Sequence, residues 1–484
     1  MEAHRFRRHV SQARQGRRLA AVAVAALACL VRSAAADNTP GALRATAAAG
    51  VAPRCGRAGR RLQRQPACAF GRKVYLVAWS DGDRKIDAPT ADIYCARVEA
   101  GTGKVLDPAG IRVCAAADLQ EWPAVAFDGE NFLVAWQDLR GGTDYDVYAA
   151  RVSEKGTVLD PNGFAVARRP ANQARPAVGF GGGNCLVVWM DARQYPVYGL
   201  YGARVSSAGK VLDPDGRALD AEDPARIAKA KPPGKSWLGD RHYWWERLAS
   251  RFHPAVASDG KVCLVTHLRD VHANRTEGCA LRVDPGRCEV IGEPTKLSGE
   301  PRDRVAACAV PGGWVVAFDH WLSGWTPAAR LAALRLDASL TPRDTIPRRT
   351  TAANAPSLTM LMDVQKALAD DGGLYHQGKG HFAFWQAAAA FNGRHVVVAM
   401  DYGWRARRNS SELGYAVVAA RFDPREGRFV DSQPLALASG GTKAGTSVRR
   451  PALATGPGGE TLVVYEKDAG VDRRTVEARI LRFE

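Results

Sequence analysis

Residues 123–163 contain four short segments in a fixed order: Pro123-Ala-Val-Ala-Phe-Asp-Gly129, Phe132-Leu-Val-Ala-Trp-Gln-Asp138, Asp146-Val-Tyr-Ala-Ala-Arg-Val152 and Gly156-Thr-Val-Leu-Asp-Pro-Asn-Gly163. Each is rich in β-branched and aromatic residues and is bounded by Gly, Asp or Pro, which is typical of strands joined by tight turns. We therefore predict four strands, A to D in chain order. Asp-Pro-x-Gly is expected to form a turn after strand D, because Pro presets φ and Gly accepts conformations that other residues resist.

The same order of segments returns before and after this unit. An earlier copy contains Tyr75-Leu-Val-Ala-Trp-Ser-Asp81 and Asp92-Ile-Tyr-Cys-Ala-Arg-Val98, and a later copy contains Cys185-Leu-Val-Val-Trp-Met-Asp191 and Tyr201-Gly-Ala-Arg-Val205. Four weaker copies share an apolar second segment: Cys263-Leu-Val-Thr266, Trp314-Val-Val-Ala-Phe-Asp319, Val396-Val-Val-Ala-Met-Asp401 and Leu462-Val-Val-Tyr465. About seven units are predicted, with six or eight as alternatives.

This repetition predicts an all-β protein. A four-stranded antiparallel unit has two apolar faces and must stack on its neighbours, and radial closure into a β-propeller covers every unit. The last unit stops at Glu484 after its strand C, whereas residues 41–53 precede the first strand A. We expect this N-terminal stretch to supply the missing outer strand, because an open ring would leave an exposed edge.

The strings Leu133-Val-Ala-Trp-Gln-Asp-Leu-Arg140, Asp146-Val-Tyr-Ala-Ala-Arg-Val152 and Val158-Leu-Asp-Pro-Asn-Gly163 resemble a repeat of large secreted bacterial β-propeller proteins. The similarity is sharp over residues 66–216 and diffuse beyond them. The resemblance implies export and a propeller, with no assigned activity and no catalytic residues to transfer. The chain lacks a convincing Asp-box of the sialidase kind and a convincing Trp-Asp repeat, and fold alone does not define function.

The N-terminus has the form of a targeting segment. Residues 1–36 combine a basic start, the apolar run Leu19 to Leu30 and the small-residue cleavage site Ala34-Ala-Ala36, which predicts a signal peptide and a secreted or periplasmic protein. The apolar run is shorter than the ~20 residues that a spanning helix needs, and no later stretch comes closer. Arg17-Arg18 leaves a twin-arginine route open, and Cys29 leaves lipoprotein anchoring open.

Composition and charge limit the class of partner. The hydrophobic fraction of 46% and the charged fraction of 24% are those of a globular protein, and the formal net charge is +17. Residues 37–65 form a basic segment before the propeller of residues 66–484. This segment could bind anionic glycans or nucleic acid, but export makes nucleic acid the least favoured partner, and we expect a monomer. Much of its charge lies in the tract of Arg54, Arg57, Arg60, Arg61 and Arg64.

Nine cysteines lie outside residues 1–36, and this odd number requires at least one unpaired thiol. Cys55 with Cys68, and Cys279 with Cys288, are close enough in sequence for local disulfides, although spacing leaves the connectivity open. No pair has zinc-finger form, and no cofactor is predicted. Calcium is an alternative suggested by two short acidic motifs, Asp81-Gly-Asp83 and Asp144-Tyr-Asp146.

Two long insertions predict the functional face of the propeller. They cover about residues 217–252 and about residues 341–386, and both connect a strand D to the next strand A, so both should rise over one face. Their aromatic rings could stack on sugars, and their polar groups could direct hydrogen bonds; packing of the aromatic residues onto the disc is the alternative. The candidate ligand contacts are Trp237, Asp240, His242, Tyr243, Trp244, Trp245 and Glu246 in the first insertion, and Tyr375, His376 and His381 in the second.

The turns from strand B to strand C on that face carry Asp138-x-Arg140 and Asp191-x-Arg193. Recurrence in several units favours a structural role, namely a turn-capping carboxylate and an ion pair between blades. The leading functional hypothesis is a non-catalytic binding or scaffold propeller that recognises a glycan or a protein. The alternative is a carbohydrate-active hydrolase or lyase with paired carboxylates on the insertions, and no recognised catalytic motif decides between them.

Overall fold

The computed structural model describes residues 43–47, 49–51, 62–83, 90–195, 197–225, 251–272, 275–297, 304–321, 329–344, 361–362, 384–405, 413–432, 434–441, 447–468 and 473–483. These residues form β-strands, with one 3₁₀ turn at Pro457–Gly459. Within this part of the chain, no helix is long and apolar enough to cross a membrane.

Four sheets are four-stranded and antiparallel, and each takes consecutive strands of the chain. Another sheet has five strands, and the first six and last three described strands share a nine-stranded sheet, in which Leu62 pairs in parallel with Arg474. The N-terminal strands are β1 (Leu43–Ala45) and β2 (Ala49–Gly50). The next sheets are β3 (Leu62–Phe70), β4 (Val74–Asp83), β5 (Thr90–Glu99) and β6 (Ile111–Cys114); β7 (Gln120–Phe127), β8 (Asn131–Asp138), β9 (Asp146–Ser153) and β10 (Phe164–Ala167); and β11 (Gln173–Gly181), β12 (Asn184–Gln194), β13 (Val197–Ser206) and β14 (Arg217–Asp220).

The second half of the chain continues in the same way. Its sheets are β15 (Arg251–Ser258), β16 (Cys263–His272), β17 (Arg275–Asp284) and β18 (Glu289–Lys296); β19 (Ala306–Val310), β20 (Gly313–Trp321), β21 (Ala329–Asp337) and β22 (Leu361–Met362); and β23 (Phe384–Phe391), β24 (Val396–Arg405), β25 (Leu413–Asp423), β26 (Arg428–Phe429) and β27 (Leu435–Gly441). The last strands are β28 (Val448–Thr455), β29 (Thr461–Asp468) and β30 (Arg474–Phe483). The prediction of an all-β protein built from four-stranded antiparallel sheets is confirmed.

The sheets are arranged radially around a central cavity. The first strand of each sheet contacts the first strand of the next, in the series β3, β7, β11, β15, β19, β23 and β28, and β28 contacts β3. Residues from all these first strands line the cavity. This arrangement is a β-propeller.

The two ends of the chain meet on one strand. β1 pairs with β30 in antiparallel register, with Leu43 opposite Phe483, and β2 pairs with the same strand, with Ala49 opposite Ala478. β1 and β2 therefore lie along the outer edge of the sheet formed by β28, β29 and β30.

The hydrophobic cores lie between neighbouring sheets. One core packs Trp136 of β8 against Leu76 and Ile93 of the preceding sheet, and another packs Trp189 of β12 against Leu133. Every residue of β8 is buried, because neighbouring sheets cover both of its faces. A strand covered on both faces has a continuous apolar sequence rather than an alternating one, and burying each large side chain contributes roughly 1.5–3 kcal/mol.

The recurrent Arg of the third strand connects neighbouring sheets. Arg151 binds Asp160 through both Nε and Nη2 at 2.8 and 2.9 Å, and its Nη1 donates to the carbonyl of Ser207 in the next sheet at 3.0 Å. Arg335 does the same with Asp344 and with the carbonyl of Arg425. A third-strand Arg that is paired with a later Asp therefore joins neighbouring sheets. Arg97 pairs with Asp107 and donates to the Glu154 carbonyl at 3.3 Å, and Arg204 pairs with Asp213 and donates to the Gly286 carbonyl. Arg421 pairs in the same way with Asp431.

The ion pair of Asp138-x-Arg140 lies within one sheet. Asp138 accepts hydrogen bonds from Trp136 Nε1 at 2.7 Å and from the backbone N–H of Arg140 at 2.9 Å. The Arg140 side chain also binds Asp138 and donates to the carbonyl of Asn162, which precedes β10 of the same sheet. The predicted turn-capping carboxylate is confirmed, and the predicted ion pair between blades is wrong for this motif. Asp191-x-Arg193 forms the same contacts with Trp189 and Asp215.

The Asp-Pro-x-Gly turn precedes the fourth strand rather than following it. Asp160-Pro-Asn-Gly163 lies between β9 and β10. Val158, in the segment predicted as strand D, makes only an isolated bridge with Val152. Gly163 has a φ of +72° and packs against the Trp136 ring, with which a Cβ atom would collide. The glycine is therefore needed for both backbone conformation and close packing.

Several predicted boundaries move. β3 begins at Leu62, so residues 62–65 of the predicted basic segment belong to the first sheet, whereas Arg54, Arg57, Arg60 and Arg61 lie outside the described residues. β14 occupies residues 217–220, at the start of the predicted first insertion. β22 lies inside the predicted second insertion and pairs with β21.

The local disulfide between Cys279 and Cys288 that their spacing left open does not form. Both are free and buried. Cys279 lies opposite Lys296 in the β17–β18 pair, whereas Cys288 lies in the turn that joins these strands. At about 3.3 Å per residue along a strand, the five residues from Cys279 to Asp284 put the two thiols too far apart. Cys68 is also a free thiol, and Cys55 lies outside the described residues.

Candidate binding site at the mouth of the central cavity

The residues predicted as ligand contacts all belong to the two insertions. Trp237, Asp240, His242, Tyr243, Trp244, Trp245, Glu246, Tyr375, His376 and His381 lie outside the residues that the structure describes. The described strands bring a different set of side chains together, at the start of the first strand of each sheet.

An irregularity recurs at that point in five described first strands. The register of the first two strands shifts there, and the shift contains a residue followed by proline, which has no N–H to donate to the ladder. Such β-bulges redirect side chains, often beside functional sites. The pairs are Gln65-Pro66, Trp122-Pro123, Arg175-Pro176, His253-Pro254 and Arg450-Pro451.

The residue before each proline has a left-handed backbone conformation. The five φ angles lie between +52° and +56°, a region that non-glycine residues avoid and that costs roughly 1–3 kcal/mol per residue. The preference of residues before proline for extended backbone makes the conformation more unusual. The surrounding structure must therefore hold these residues in place.

Buried acceptors hold three of the bulges. In each case a side chain of the second strand in the preceding sheet accepts the N–H of the bulge residue. These side chains are at most 5% exposed, so buried acceptors help to hold the strained conformation in place. The bonds run from Gln65 N to Glu466 Oε1 (2.7 Å), from Arg175 N to Gln137 Oε1 (3.1 Å) and from Arg450 N to Asp401 Oδ2 (2.9 Å).

Trp122 lies at the centre of the resulting cluster. The backbone N–H of Trp122 donates to Gln65 Oε1 at 3.1 Å. The guanidinium carbon of Arg175 lies 3.4 Å from the centroid of the Trp122 ring, and that of Arg450 lies 4.9 Å from it. The three residues come from three different sheets. Cation–π attraction, worth roughly 0.5–2 kcal/mol per contact, holds the two positive charges beside each other.

The mouth of the cavity, formed by the residues at the starts of the first strands, is positively charged. Arg175, His253, Arg304 and Arg450 all line the cavity, and its described lining contains no Asp or Glu. All four are half-buried, so their side chains keep contact with solvent. Arg304 extends the cluster towards His253, because its Nη2 donates to the carbonyl of Pro254 at 3.5 Å.

The cavity narrows to a wall of small apolar residues below these side chains. Pro, Ala and Val from successive positions of the first strands form this wall, as in Pro176, Ala177 and Val178. The cavity volume is about 210 Å³, below the ~300–1,000 Å³ of pockets that enclose a drug-sized ligand. The site can therefore accept one end of a ligand, with charge at the mouth and apolar surface beneath.

Carboxylates lie behind the mouth rather than in it. Glu466 is fully buried and binds Arg450 at 2.8 Å and Arg474 at 3.2 Å. Glu121 is 4% exposed and accepts a hydrogen bond from the Tyr145 hydroxyl at 3.2 Å. Glu466 therefore supports the basic side chain of Arg450, and both acids are covered from solvent.

A second buried cluster supports the bulge at His253. Asp220 binds Arg251 Nη2 at 2.7 Å and lies 2.9 Å from His267 Nε2. Burial alone would raise the pKa of Asp220, but the hydrogen bonds from His267 and Arg251 outweigh burial and hold the pKa well below its usual range. Because Arg251 begins β15, this cluster ties the start of that strand to β14 and β16.

The acidic motifs considered for calcium have other partners. Asp81 accepts a hydrogen bond from Trp79 Nε1 at 3.5 Å, and Asp144 accepts one from the N–H of Ala171 at 3.2 Å. Asp146 lies 3.7 Å from Arg168. Among the described residues, no three His, Cys, Asp or Glu side chains are grouped so that they could hold a metal ion.

The sequence contains a pattern that indicates the residues at the mouth, and the prediction did not use it. Proline recurs at the start of strand A, as in Pro123 and Pro176, while the residue before it changes between Gln, Trp, Arg and His. A constant structural residue beside a variable polar or aromatic one is the pattern of a binding surface on a repeated scaffold.

No protein-family model and no curated protein sequence matches this chain. Solved structures of similar architecture include a protein of unknown function from Dyadobacter fermentans DSM 18053, at 14% identity and a TM-score of 0.44, with 91% of this chain and 99% of that chain covered. A subtype N10 neuraminidase-like protein of A/little yellow-shouldered bat/Guatemala has 11% identity, a TM-score of 0.39 and coverage of 92% and 99%. The GH43_1 enzyme from Xanthomonas citri complexed with xylotriose has 12% identity, a TM-score of 0.36 and coverage of 64% and 96%.

Proposed function

We propose that the sheets are the blades of one seven-bladed propeller, closed by β1 and β2 on the last blade. The series of contacts from β3 through the other first strands to β28 and back to β3 supports this count. The pairing of Leu43 with Phe483 supports the closure. Such a closure leaves no outer edge on the blade formed by β28, β29 and β30.

We further propose that the protein is exported and acts as a monomeric, non-catalytic binding module for a glycan or a protein. The observation that carries this proposal is the convergence of Gln65, Trp122, Arg175, His253 and Arg450 at one mouth, each with a strained φ. Strain of about 1–3 kcal/mol at each of five positions is costly for a fold that needs only to be stable. Its recurrence where side chains are redirected favours ligand binding at the mouth.

The predicted insertions fit the same proposal. They lead into β15 and β23, which are first strands that line the cavity. Trp244, Trp245 and the other candidate residues of these segments would then extend the site above the mouth. The ligand would contact the bulge residues with one end and the insertions with the remainder.

A carbohydrate-active hydrolase or lyase is the second candidate. It requires two carboxylates, about 5–5.5 Å apart in a retaining glycosidase or about 6.5–9.5 Å apart in an inverting one. The buried acids Glu121 and Glu466 have structural partners, so the pair would have to come from the insertions, where the candidates are Asp240, Glu246 and Asp370. This candidate predicts product release as well as binding.

The test is a glycan-array screen of the chain from Asp37, with detection of released sugars on the same samples. Binding without release is expected for the wild type, and Trp122→Ala should weaken it at least tenfold. The double variant Trp244→Ala/Trp245→Ala tests the insertion separately. Leu159→Ala is the matched control, because Leu159 is 40% exposed and lies on the connection between β9 and β10, away from the mouth.

Each outcome has a distinct meaning. Unchanged binding by Trp122→Ala, in protein that unfolds at the wild-type temperature, would contradict a site at the mouth. Release of sugar by the wild type would favour the enzyme. If no glycan binds, a protein ligand remains as the alternative. A pull-down in which Trp122→Ala loses the captured protein would then have to show it.

A further inference from the structure

The described mouth concentrates like charges. Arg175 and Arg450 both lie over the ring of Trp122, at 3.4 and 4.9 Å from its centroid, so the two guanidinium carbons are less than about 8.3 Å apart by the sum of these distances. Arg304 lines the same cavity. Charges held this close repel one another at a partly exposed site.

The carboxylate that binds Arg450 lies behind the mouth rather than in the cavity. Buried Glu466 binds Arg450, but Arg175 and Arg304 also face a cavity whose described lining has no carboxylate. A ligand that brings a negative charge into the cavity would relieve the repulsion. Arginine is suited to this task, because its planar group can bind a carboxylate with two parallel hydrogen bonds.

The size and lining of the cavity define the rest of the ligand. A volume of about 210 Å³ accepts a terminal group rather than a whole oligomer. Pro176, Ala177 and Val178 offer apolar contact beneath the charged rim. A compact ring with one carboxylate substituent fits these features better than an extended acidic side chain, because the ring can fill the apolar part while the carboxylate stays at the rim.

Resting on the proposed binding function, we propose that the mouth binds the terminal residue of a carboxylate-bearing glycan. Arg175 and Arg304 contact the carboxylate, and Trp122 is a positioning residue that holds Arg175 and Arg450 beside the ligand. Charge recognition by arginine then selects acidic over neutral sugars of the same size.

The experiment measures the affinity of the chain from Asp37 for trigalacturonate and for its methyl ester by calorimetry. The two probes have the same sugar chain, and only the first carries free carboxylates. We expect the methyl ester to bind roughly ten- to a hundredfold more weakly, because the loss of a hydrogen bond between charged groups has an effect of this size. Raising the salt concentration from about 0.05 M to about 0.5 M should weaken the acidic probe selectively.

Variants locate the effect. Arg175→Gln and Arg304→Gln should each lower the affinity for trigalacturonate about tenfold and leave the weaker binding of the ester nearly unchanged. Arg175→Lys should retain part of the affinity, which separates charge from bidentate geometry. Arg287→Gln is the matched control, since its side chain is 76% exposed in the turn between β17 and β18. Melting temperatures identify any variant that fails to fold.

Three results would overturn the inference. Equal affinity for the acid and the ester, with loss of both in Trp122→Ala, would keep the proposed binding site and remove charge recognition. Binding of trigalacturonate that survives both arginine substitutions would place the anion elsewhere. Failure of trigalacturonate to bind, with capture of an acidic peptide instead, would exclude a glycan ligand.

Discussion

The guanidinium carbon of Arg175 lies 3.4 Å from the centroid of the Trp122 ring, although the two residues belong to neighbouring sheets. Each precedes a proline at the start of a first strand, and each has a φ near +55°. The contact therefore depends on two backbone distortions at once. It links the conformation of the scaffold to the geometry of the mouth.

Substitution of Arg175 by glycine or by alanine should separate backbone strain from side-chain contact. Both variants lose the contact with Trp122, but glycine adopts a φ of 55° without the clash that alanine makes. We expect Arg175→Gly to be about 1 kcal/mol more stable than Arg175→Ala in urea denaturation. At Arg217, in the strand β14 and without a positive φ, the order should reverse; the same order at both positions would argue against strain at the bulge.

Gly163 should be far less tolerant than Gly142. Both have a positive φ, +72° and +80°, but a Cβ atom at Gly163 would collide with the Trp136 ring, whereas nothing lies within 4 Å of one at Gly142. Gly142→Ala is expected to cost about 1 kcal/mol from the backbone alone. Gly163→Ala should cost a further 1–3 kcal/mol or so by overpacking, measured as the shift in the urea midpoint. Equal shifts would show that the close approach of the ring is unimportant.

Asp138→Ala should destabilise the protein without acting at the mouth. Asp138 is fully buried and accepts hydrogen bonds from Trp136 Nε1 and from Arg140. Its removal leaves the buried Trp136 Nε1 without its acceptor and removes the carboxylate partner of half-buried Arg140, which we expect to cost about 1–3 kcal/mol. Asp128→Ala is the control, because Asp128 caps a turn by accepting the N–H groups of Glu130 and Asn131. Loss of ligand affinity in folded Asp138→Ala would instead indicate a functional role for this motif.

Much of the fold was predictable from the repeat, and the exceptions have physical causes. The second segments are continuous apolar runs, and they correspond to fully covered strands such as β8. The fourth strand was misplaced because Thr157, Val158 and Leu159 have strand propensity but only Val158 forms a bridge. Local propensity could not show that the chain turns once more, at Asp160, before it pairs.

The mouth was not predictable by the same reasoning. A residue before proline is expected to be extended, so nothing in the sequence announces the φ of +56° at Trp122. The acceptors that enforce this conformation, such as Glu466 for Gln65, lie 401 residues away in the chain. Only the variability of the residue before proline indicated a surface with a role beyond packing.

The cysteines should remain reduced and unreactive in the folded protein. Burial raises the pKa of Cys279 to about 11 and that of Cys288 to about 12, so few thiolates form at neutral pH. We expect no disulfide between them by intact mass, and slow alkylation at pH about 8 that becomes rapid in urea. Cys68, which lines the cavity, provides the internal comparison for the rate of alkylation. A Cys279–Cys288 bridge in the purified protein would contradict the strand register.

Asp146 should make stability fall as the pH rises from about 4 to about 6. Burial raises its pKa from 3.8 to about 6 in the folded protein, and the nearby Arg168 only partly counters this. The folded state therefore binds a proton more tightly than the unfolded state, so the stabilising contribution of protonation is present below pH 3.8 and is lost as the pH passes through about 6. Asp146→Asn should remove this part of the pH dependence and be more stable than the wild type at pH about 7. Urea midpoints of both proteins across this range give the measurement, and parallel pH profiles would show that Asp146 titrates normally.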